Sequence, residues 1–145
     1  MAKILIVDDQ ACVRKLLSEE LNSEGYRVAT AGDPESVREH LRFSTPDLVL
    51  LDLFLNGLEA FDVLQDIKRE KADLPVIIFT AYDSYREDPR LAEADGYAIK
   101  SIVLDELKAK IADVLNQKLA FQGEAGAYDG LDLLQDIRNA TITCR

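Results

Sequence analysis

The stretch Lys3-Ile-Leu-Ile-Val-Asp-Asp9, near the N-terminus, decides the fold class. Its apolar run is short and shows no polar alternation, which is typical of a strand covered on both faces of a parallel sheet. A segment with helical spacing follows, in which Val13, Leu17 and Leu21 fall on one face. Gly25 is suited to ending that helix. One buried strand followed by one amphipathic helix is the repeating half of a βαβ unit.

The same alternation continues along the chain. Its strand-like runs are Lys3–Val7, Tyr26–Thr30, Asp47–Leu51, Pro75–Phe79 and Gly96–Ile99. The second helix opens with Asp33-Pro34, an N-cap followed by proline at the first helical position. The last helix carries the longest apolar stripe, from Leu104 to Leu119. Right-handed crossovers between these strands predict a doubly wound, three-layer α/β domain with a five-stranded parallel sheet.

The composition restricts the classes of function. The chain has 145 residues, with 17 Lys and Arg against 27 Asp and Glu, and a net charge of −10. This balance argues against direct binding of nucleic acid or of an anionic membrane, because both require a basic face. No apolar run exceeds four residues, so no membrane insertion is expected, and the apolar start is too short for a signal peptide.

The cysteine content indicates whether the protein works in a reducing or an oxidising compartment. Cys12 and Cys144 are too few for a disulfide framework and lack metal-ligand spacing. Such usage favours a reducing setting, so we expect a cytoplasmic protein.

Polar side chains stand at the carboxyl ends of four predicted strands. The first strand delivers Asp8 and Asp9, the third Asp52, the fourth Thr80 and the fifth Lys100. Ligands of doubly wound sheets bind beyond these ends, so we expect the side chains to converge. Crowded carboxylates repel one another unless a cation lies among them, and oxygen ligands with room for water favour Mg²⁺ over Ca²⁺. Taken alone, each of these residues has an ordinary structural role, such as capping the first helix for Asp9. Because all of them stand at the same edge of the sheet, a binding site is favoured.

This cluster is suited to phosphoryl transfer. Asp52 follows a rigid apolar strand, and one of its oxygens could attack phosphorus in line to form an acyl phosphate. Thr80 and Lys100 could bind the phosphoryl oxygens as negative charge develops.

Several stretches resemble the receiver domain of two-component response regulators: Ile4-Leu-Ile-Val-Asp-Asp-Gln10, Pro46-Asp-Leu-Val-Leu-Leu-Asp-Leu53 and Thr80-Ala81, with Lys100. Within that family the chain is similar to the single-domain sporulation-phosphorelay type and to the receivers of nitrogen-regulator activators. The resemblance implies a flavodoxin-like (βα)5 fold with strand order 2-1-3-4-5. It covers a receiver domain over residues 1–119 and leaves a tail over 120–145 without an output domain.

The resemblance also implies a metal site. Asp52 would be the phosphoacceptor and a metal ligand, and Asp9 would bind Mg²⁺ directly. Asp8 would help directly or through water, and Phe54 would offer its backbone carbonyl oxygen.

The remaining roles concern catalysis and signalling. Thr80 and Lys100 would contact the phosphoryl group, and Thr80 and Tyr97 would form the switch pair that alters the signalling face. The donor would be a histidine kinase or a phosphotransfer protein, and the signal would pass to a downstream protein target. Such a domain assists its own phosphorylation and dephosphorylation and is not a conventional enzyme.

Two aromatic residues bear on the lifetime of the phosphorylated state. Phe54 and Tyr82 lie two residues after Asp52 and Thr80, at positions that flank the path of attacking water in receivers. Their rings would shield the acyl phosphate, so we expect slow self-dephosphorylation.

Two single positions depart from the family pattern. Ser101 follows Lys100, where the family usually has proline, often through a cis bond. Asn56 stands in the loop after the phosphoacceptor, where proline is common.

The fourth helical segment departs more strongly. It is shorter than in typical relatives, and Asp88-Pro89 reads as an N-cap and first-turn pair. This predicts a short helix over Arg90–Asp95 after an extended loop over Tyr82–Glu87. The output surface therefore looks altered, whereas the phosphorylation residues are all present.

Two alternatives stay open. One is a receiver-like adaptor that binds its partner without phosphate, which the missing proline and altered fourth helix favour. The other is the N-terminal receiver of a longer transcriptional regulator. The tail itself, with a short helix predicted around Leu131, Leu134 and Ile137, offers no nucleic-acid surface.

Overall fold

The computed structural model describes residues 2–100 and 104–121. Its α-helices are α1 (Ala11–Ser23), α2 (Pro34–Phe43), α3 (Phe61–Glu70) and α4 (Asp105–Phe121). Its strands are β1 (Lys3–Val7), β2 (Arg27–Ala31), β3 (Leu48–Leu51), β4 (Phe54–Leu55), β5 (Leu58–Glu59), β6 (Val76–Thr80) and β7 (Gly96–Ile99). The predictions made for Ser101 and for residues 122–145 lie outside the described part of the chain.

The five longer strands form one parallel sheet in the order β2-β1-β3-β6-β7. This confirms the doubly wound α/β fold. The predicted order 2-1-3-4-5 differs only because it did not count β4 and β5, which form a separate antiparallel hairpin. Strands of two residues each are too short to show a period of two, so the sequence pattern missed them.

The two faces of the sheet bury alternate residues of its central strands. Leu5 and Val7 of β1 pack in a core shared with α2 and α3. Ile4 and Ile6 pack in a second core shared with α1 and α4. Because side chains alternate between the faces of a strand, a strand covered on both sides must be apolar throughout. The three-layer arrangement is therefore as predicted.

The segment between β6 and β7 agrees with the prediction only in part. The Asp88 carboxylate accepts a hydrogen bond from the Arg90 N–H, and Pro89 opens a helical turn, as expected. That turn is a 3₁₀ helix limited to Pro89–Leu91, so the helix predicted over Arg90–Asp95 was wrong in length. Residues 83–88 form two successive turns, closed by hydrogen bonds from the Arg86 N–H to the Asp83 carbonyl oxygen and from the Asp88 N–H to the Tyr85 carbonyl oxygen. The loop predicted over Tyr82–Glu87 is therefore not extended.

Contacts with the sheet limit how far the helical turn before β7 can extend. The Asp95 carboxylate accepts hydrogen bonds from the Val76 N–H at 2.8 Å and from the Lys68 ammonium at 2.7 Å. The Asp95 N–H also donates to the Val76 carbonyl oxygen. These contacts place Asp95 at the start of the β6–β7 pairing, so the helix predicted to end at Asp95 cannot extend that far.

A buried ammonium joins α4 to α1. Lys108 is 4% exposed, and its Nζ lies 3.1 Å from both Glu20 Oε2 and Glu24 Oε1. Burial alone would lower the pKa of this ammonium, but the hydrogen bonds to the two glutamates outweigh it and raise the pKa. The side of α4 that faces α1 therefore includes a paired charge among its apolar residues.

Two expectations concern the environment of the protein: the absence of membrane insertion and a reducing setting for the cysteines. None of the helices in the described ranges has the length and apolar character needed to cross a bilayer. Cys12 lies in the first turn of α1, and the expectation of a reducing setting stays a prediction. Cys144 lies outside the described residues.

Candidate phosphoacceptor and metal site

The sheet register brings the predicted site residues to one edge. The Asp52 N–H donates to the Val7 carbonyl oxygen at 2.9 Å, so the ladder between β1 and β3 continues past the last residue of β3. The Lys100 N–H likewise donates to the Thr80 carbonyl oxygen at 2.6 Å. The Asp8 N–H donates to the Ala31 carbonyl oxygen, so the pairing of β1 with β2 continues to Asp8. The residues that follow the strands are thus held by the sheet and do not belong to free loops.

Three carboxylates meet at this edge. One oxygen from each of Asp8, Asp9 and Asp52 lies within 4.8 Å of the others. Asp8 is 2% exposed and Asp52 is 8% exposed, whereas Asp9 is half-buried. Like charges this close and this poorly hydrated are unfavourable unless a cation compensates them. The convergence expected from the strand ends is present.

Lys100 supplies one compensating charge. Its Nζ lies 2.7 Å from Asp8 Oδ2 and 3.2 Å from Asp52 Oδ2. Burial by itself would lower the pKa of this ammonium, but the hydrogen bond to Asp8 and the charge of Asp52 outweigh burial and raise the pKa. One ammonium among three carboxylates leaves the cluster negative.

Within the cluster, the carboxyl group of Asp52 has a raised pKa. Burial is the main reason why the pKa of its carboxyl rises from 3.8 to about 6. The charge of Asp8 raises this pKa further, whereas Lys100 and a hydrogen bond from the Phe54 N–H lower it. Asp52 is therefore mostly ionised at neutral pH, at a cost to the free energy of folding.

In magnesium-free buffer, Asp52→Asn is expected to raise the free energy of unfolding by about 1–3 kcal/mol at pH 8 and to change it little at pH 4. The folded pKa of about 6 lies above the value of 3.8 expected in the unfolded chain, so the folded protein takes up a proton first. The contribution of Asp52 to stability is therefore fully present below about pH 4 and is lost as the pH rises through 6.

Urea unfolding of wild type and variant between pH 4 and pH 8 measures this difference. Asp113→Asn, at an exposed position of α4, is the control and should shift stability by less than about 0.5 kcal/mol. An effect of Asp52→Asn that is the same at both ends of the range would contradict the assignment.

The sequence pattern assigned no role to Arg14 or Gly32, yet both support the acidic loop. Arg14 Nη1 donates to the Asp8 carbonyl oxygen at 2.6 Å. A Cβ atom at Gly32 would lie 3.1 Å from that same nitrogen, so the glycine after β2 leaves room for the guanidinium. The available signal was an arginine in the first turns of the helix that follows the two acids.

The two predicted switch residues contact the backbone of the same residue, Tyr82. Thr80 Oγ1 accepts a hydrogen bond from the Tyr82 N–H at 3.3 Å, and the Tyr97 hydroxyl donates to the Tyr82 carbonyl oxygen. Thr80 is fully buried, and the Arg86 guanidinium lies 4.9 Å from the centre of the Tyr97 ring. The backbone of residue 82 thus connects the pair, which the sequence did not predict.

Aromatic rings pack beside these residues. Phe54 and Tyr82 meet edge to face with ring centres 5.2 Å apart, and Tyr85 lies 5.5 Å from Phe54. The Arg90 guanidinium lies 3.8 Å from the centre of the Phe61 ring. The two rings that the sequence placed beside the path of water are therefore in direct contact.

The donor set fits a hard divalent cation. Carboxylate oxygens are the protein ligands that Mg²⁺ prefers, and the ion keeps several of its waters. The cluster offers oxygens from three carboxylates, retains excess negative charge beside Lys100, and is partly open at Asp9. Phe54, whose carbonyl oxygen was expected among the ligands, begins β4 two residues after Asp52.

Comparison with known proteins places this geometry in a family. The family model "Response regulator receiver domain" matches residues 4–112. The chain belongs to the response regulator receiver family. The receiver is 37% identical over 123 residues to the probable transcriptional regulator ycf27 of Guillardia theta, an alignment that covers 82% of this chain and 48% of ycf27. It is 33% identical over 146 residues to the response regulator MprA of Mycobacterium sp. (strain KMS), covering 97% of this chain and 63% of MprA.

Solved receivers share the fold. The response regulator TrrA of Thermotoga maritima, crystallised with Mg²⁺–BeF, has a TM-score of 0.74 and 39% identity and covers 79% of this chain and 99% of TrrA. A second structure holds TrrA with the histidine kinase ThkA, at 40% identity and the same TM-score of 0.74. The receiver described here spans about half the length of the ycf27 relatives that it matches.

Proposed function

We propose that this receiver accepts a phosphoryl group on Asp52, in a magnesium-dependent reaction, from a histidine kinase or a phosphotransfer protein. One observation carries the proposal: the Lys100 ammonium lies 2.7 Å from Asp8 and 3.2 Å from Asp52 at the mouth of a buried strand. Membership of the receiver family supports the same chemistry, and the TrrA–ThkA complex supports a kinase as partner.

In the proposed reaction, a carboxylate oxygen of Asp52 attacks the phosphorus atom of a phosphohistidine. The new O–P bond forms as the P–N bond breaks, and the imidazole leaves with the electron pair of that bond. Lys100 neutralises charge that develops on the phosphoryl oxygens, and the Thr80 hydroxyl donates a hydrogen bond to one of them. The group that results on Asp52 is an acyl phosphate.

The magnesium ligands in this proposal are the carboxylates of Asp8, Asp9 and Asp52 and the carbonyl oxygen of Phe54. Bound Mg²⁺ would supply further positive charge at the phosphoryl oxygens. The carboxylate cluster and its excess of negative charge support this assignment.

We further propose that the signal leaves through protein contacts, by a rearrangement of Thr80 and Tyr97. The domain would comprise residues 1–119 and act in the cytoplasm, without direct contact to nucleic acid or insertion into a membrane. The net charge of −10 supports the absence of a nucleic-acid partner.

A second candidate role follows from the relatives. The ycf27 proteins are named as transcriptional regulators, and the alignment covers only 48% of the Guillardia theta protein. In this role the same receiver would control a longer regulator. The mass of the native protein on an immunoblot of its own cells distinguishes the roles: a band near 16.2 kDa supports the single domain, and one of about twice that mass the longer regulator.

The experiment that tests the proposed function is intact-mass measurement after incubation with acetyl phosphate. We expect a gain of one phosphoryl group with Mg²⁺, none after chelation, and none in Asp52→Ala. Circular dichroism of each variant confirms that it is folded. A folded wild type that gains no phosphoryl group would overturn the proposal in favour of an adaptor that works without phosphate.

The aromatic contact leads to a prediction about lifetime. Changing both residues of the packed pair, Phe54→Asn with Tyr82→Gly, is expected to shorten the half-life of the phosphorylated protein by about tenfold, because the rings exclude attacking water. Intact mass is followed over time after removal of the phosphodonor. Phe43→Asn, which changes an exposed ring at the end of α2, should leave the half-life unchanged. Equal half-lives in the double variant and wild type would disprove shielding.

A further inference from the structure

The loop after Asp52 is built around a two-residue turn. β4 and β5 pair antiparallel, with Leu55 opposite Leu58, so Asn56 and Gly57 alone connect the strands. Both residues have positive φ, 54° for Asn56 and 78° for Gly57. Two successive residues in this conformation are typical of a type I′ hairpin turn, for which Asn-Gly is a preferred sequence. The turn is thus encoded locally by these two residues.

This turn reaches back to the acidic loop. The Asn56 N–H donates to Asp9 Oδ2 at 3.0 Å, across 47 positions of sequence. A proline at this position, as is common in the family, has no N–H to donate and holds φ near −65°. The contact therefore depends on the departure from the family pattern that the sequence shows at residue 56.

The three carboxylates differ in how firmly they are held. Asp8 Oδ1 accepts from the Gln10 N–H, and its Oδ2 accepts from Lys100. Asp52 is 8% exposed and contacts Lys100. Asp9 is half-buried, and within residues 2–100 and 104–121 its carboxylate accepts only the hydrogen bond from Asn56. Without that bond, the Asp9 side chain would be the least restrained of the cluster.

We propose that the Asn56–Gly57 turn positions Asp9 for a divalent cation, and that its N–H raises the affinity of the site for Mg²⁺. This inference rests on the proposed function, since it assumes that Asp9 is a metal ligand. One N–H on Oδ2 fixes the orientation of the carboxylate and leaves its other oxygen free for the ion. Groups that hydrogen-bond to metal ligands commonly change metal affinity by about 10–100-fold when removed. Asn56 is a positioning residue and does not contact the ion.

The chain offers a matched pair of variants. Asn56→Gly keeps the backbone N–H and tolerates positive φ, so it should bind Mg²⁺ within about twofold of wild type. Asn56→Pro removes the N–H and the turn conformation, and should weaken binding by about tenfold. Affinities are measured on the whole chain by ¹⁵N–¹H chemical-shift titration with MgCl₂, which also shows whether each variant is folded.

A double-mutant cycle separates positioning from general damage. In an Asp9→Ala background, Asn56→Pro should cause no further loss of affinity, because the group that the turn positions is absent. A loss of the same size in both backgrounds, or no loss in wild type, would overturn the inference while leaving the proposed function intact. Failure of wild type to bind Mg²⁺ would remove the proposed function and the inference together, whereas a wild type that binds Mg²⁺ but takes up no phosphoryl group would overturn the proposed function alone.

A metal-free measurement tests the contact itself. In the absence of Mg²⁺, the amide proton of residue 56 should shift upfield in Asp9→Ala, because a charge-assisted hydrogen bond is lost. The same shift is expected in the Asn56→Gly protein when Asp9→Ala is added. An amide resonance that is identical with and without the Asp9 carboxylate would refute the contact even if Asn56→Pro fails to fold.

Discussion

Lys100→Met should slow phosphoryl uptake from acetyl phosphate by about 100-fold or more, while the protein still binds Mg²⁺. The Lys100 ammonium lies 2.7 Å from Asp8 and 3.2 Å from Asp52, so it stands beside the position that the incoming phosphoryl group would take. Methionine keeps most of the side-chain length and removes the charge. The charge that develops on the phosphoryl oxygens then loses one of its stabilising partners.

The rate is measured by intact mass at early times and fixed donor concentration. Lys15→Met, on the exposed side of α1, is the matched control and should react at the wild-type rate. Mg²⁺ affinity measured on the same samples separates the loss of the ammonium from the loss of the ion. If Lys100→Met took up phosphate as fast as wild type, Lys100 would have no role in the reaction.

The largest effect on stability is expected at Lys108. Lys108→Met should lower the free energy of unfolding by about 3 kcal/mol, near the lower end of the range for breaking a buried ion pair. The ammonium is 3.1 Å from Glu20 and from Glu24, whose side chains are 32% and 12% exposed. Its removal leaves the Glu20 and Glu24 carboxylates close together without a counter-charge, and the partial exposure of Glu20 limits the cost.

A triple variant tests the cause of that loss. Adding Glu20→Gln and Glu24→Gln to Lys108→Met removes the unpaired charges and should restore most of the lost stability. Lys118→Met breaks a more exposed pair, 3.9 Å from Asp47, and should cost less than about 1 kcal/mol. Urea unfolding followed by circular dichroism gives all these values. The explanation fails if the triple variant is no more stable than Lys108→Met.

The fold and the centre of the site were predictable from sequence because both depend on short-range patterns. Continuous apolar strands fix the sheet, and a doubly wound sheet collects whatever follows its strands at one edge. Asp52, Thr80 and Lys100 were located in this way without knowledge of any contact. The sheet order confirms the fold and the family model confirms the family; the roles of these residues stay predictions.

The features that the sequence pattern missed depend on tertiary contacts or on backbone acceptors that no residue pattern marks. The helix predicted to end at Asp95 cannot extend that far because Asp95 bonds to Val76, which is 19 positions away in sequence. The contact of Arg14 with Asp8 uses a backbone carbonyl oxygen, which every residue possesses. Lys108 stands among apolar positions of α4, and its pairing with Glu20 of α1 and with Glu24, the residue after α1, explains its burial.

The two hydrogen bonds to the backbone of Tyr82 also have a thermodynamic consequence. Thr80 accepts the N–H of that residue and Tyr97 donates to its carbonyl oxygen, so both side chains act on one short stretch of main chain. We therefore expect the free energy of displacing one of these side chains to depend on the position of the other, although the two need not touch. The ring of Tyr82 is exposed, so a rearrangement of this stretch would change the surroundings of a tyrosine in a chain that contains no tryptophan.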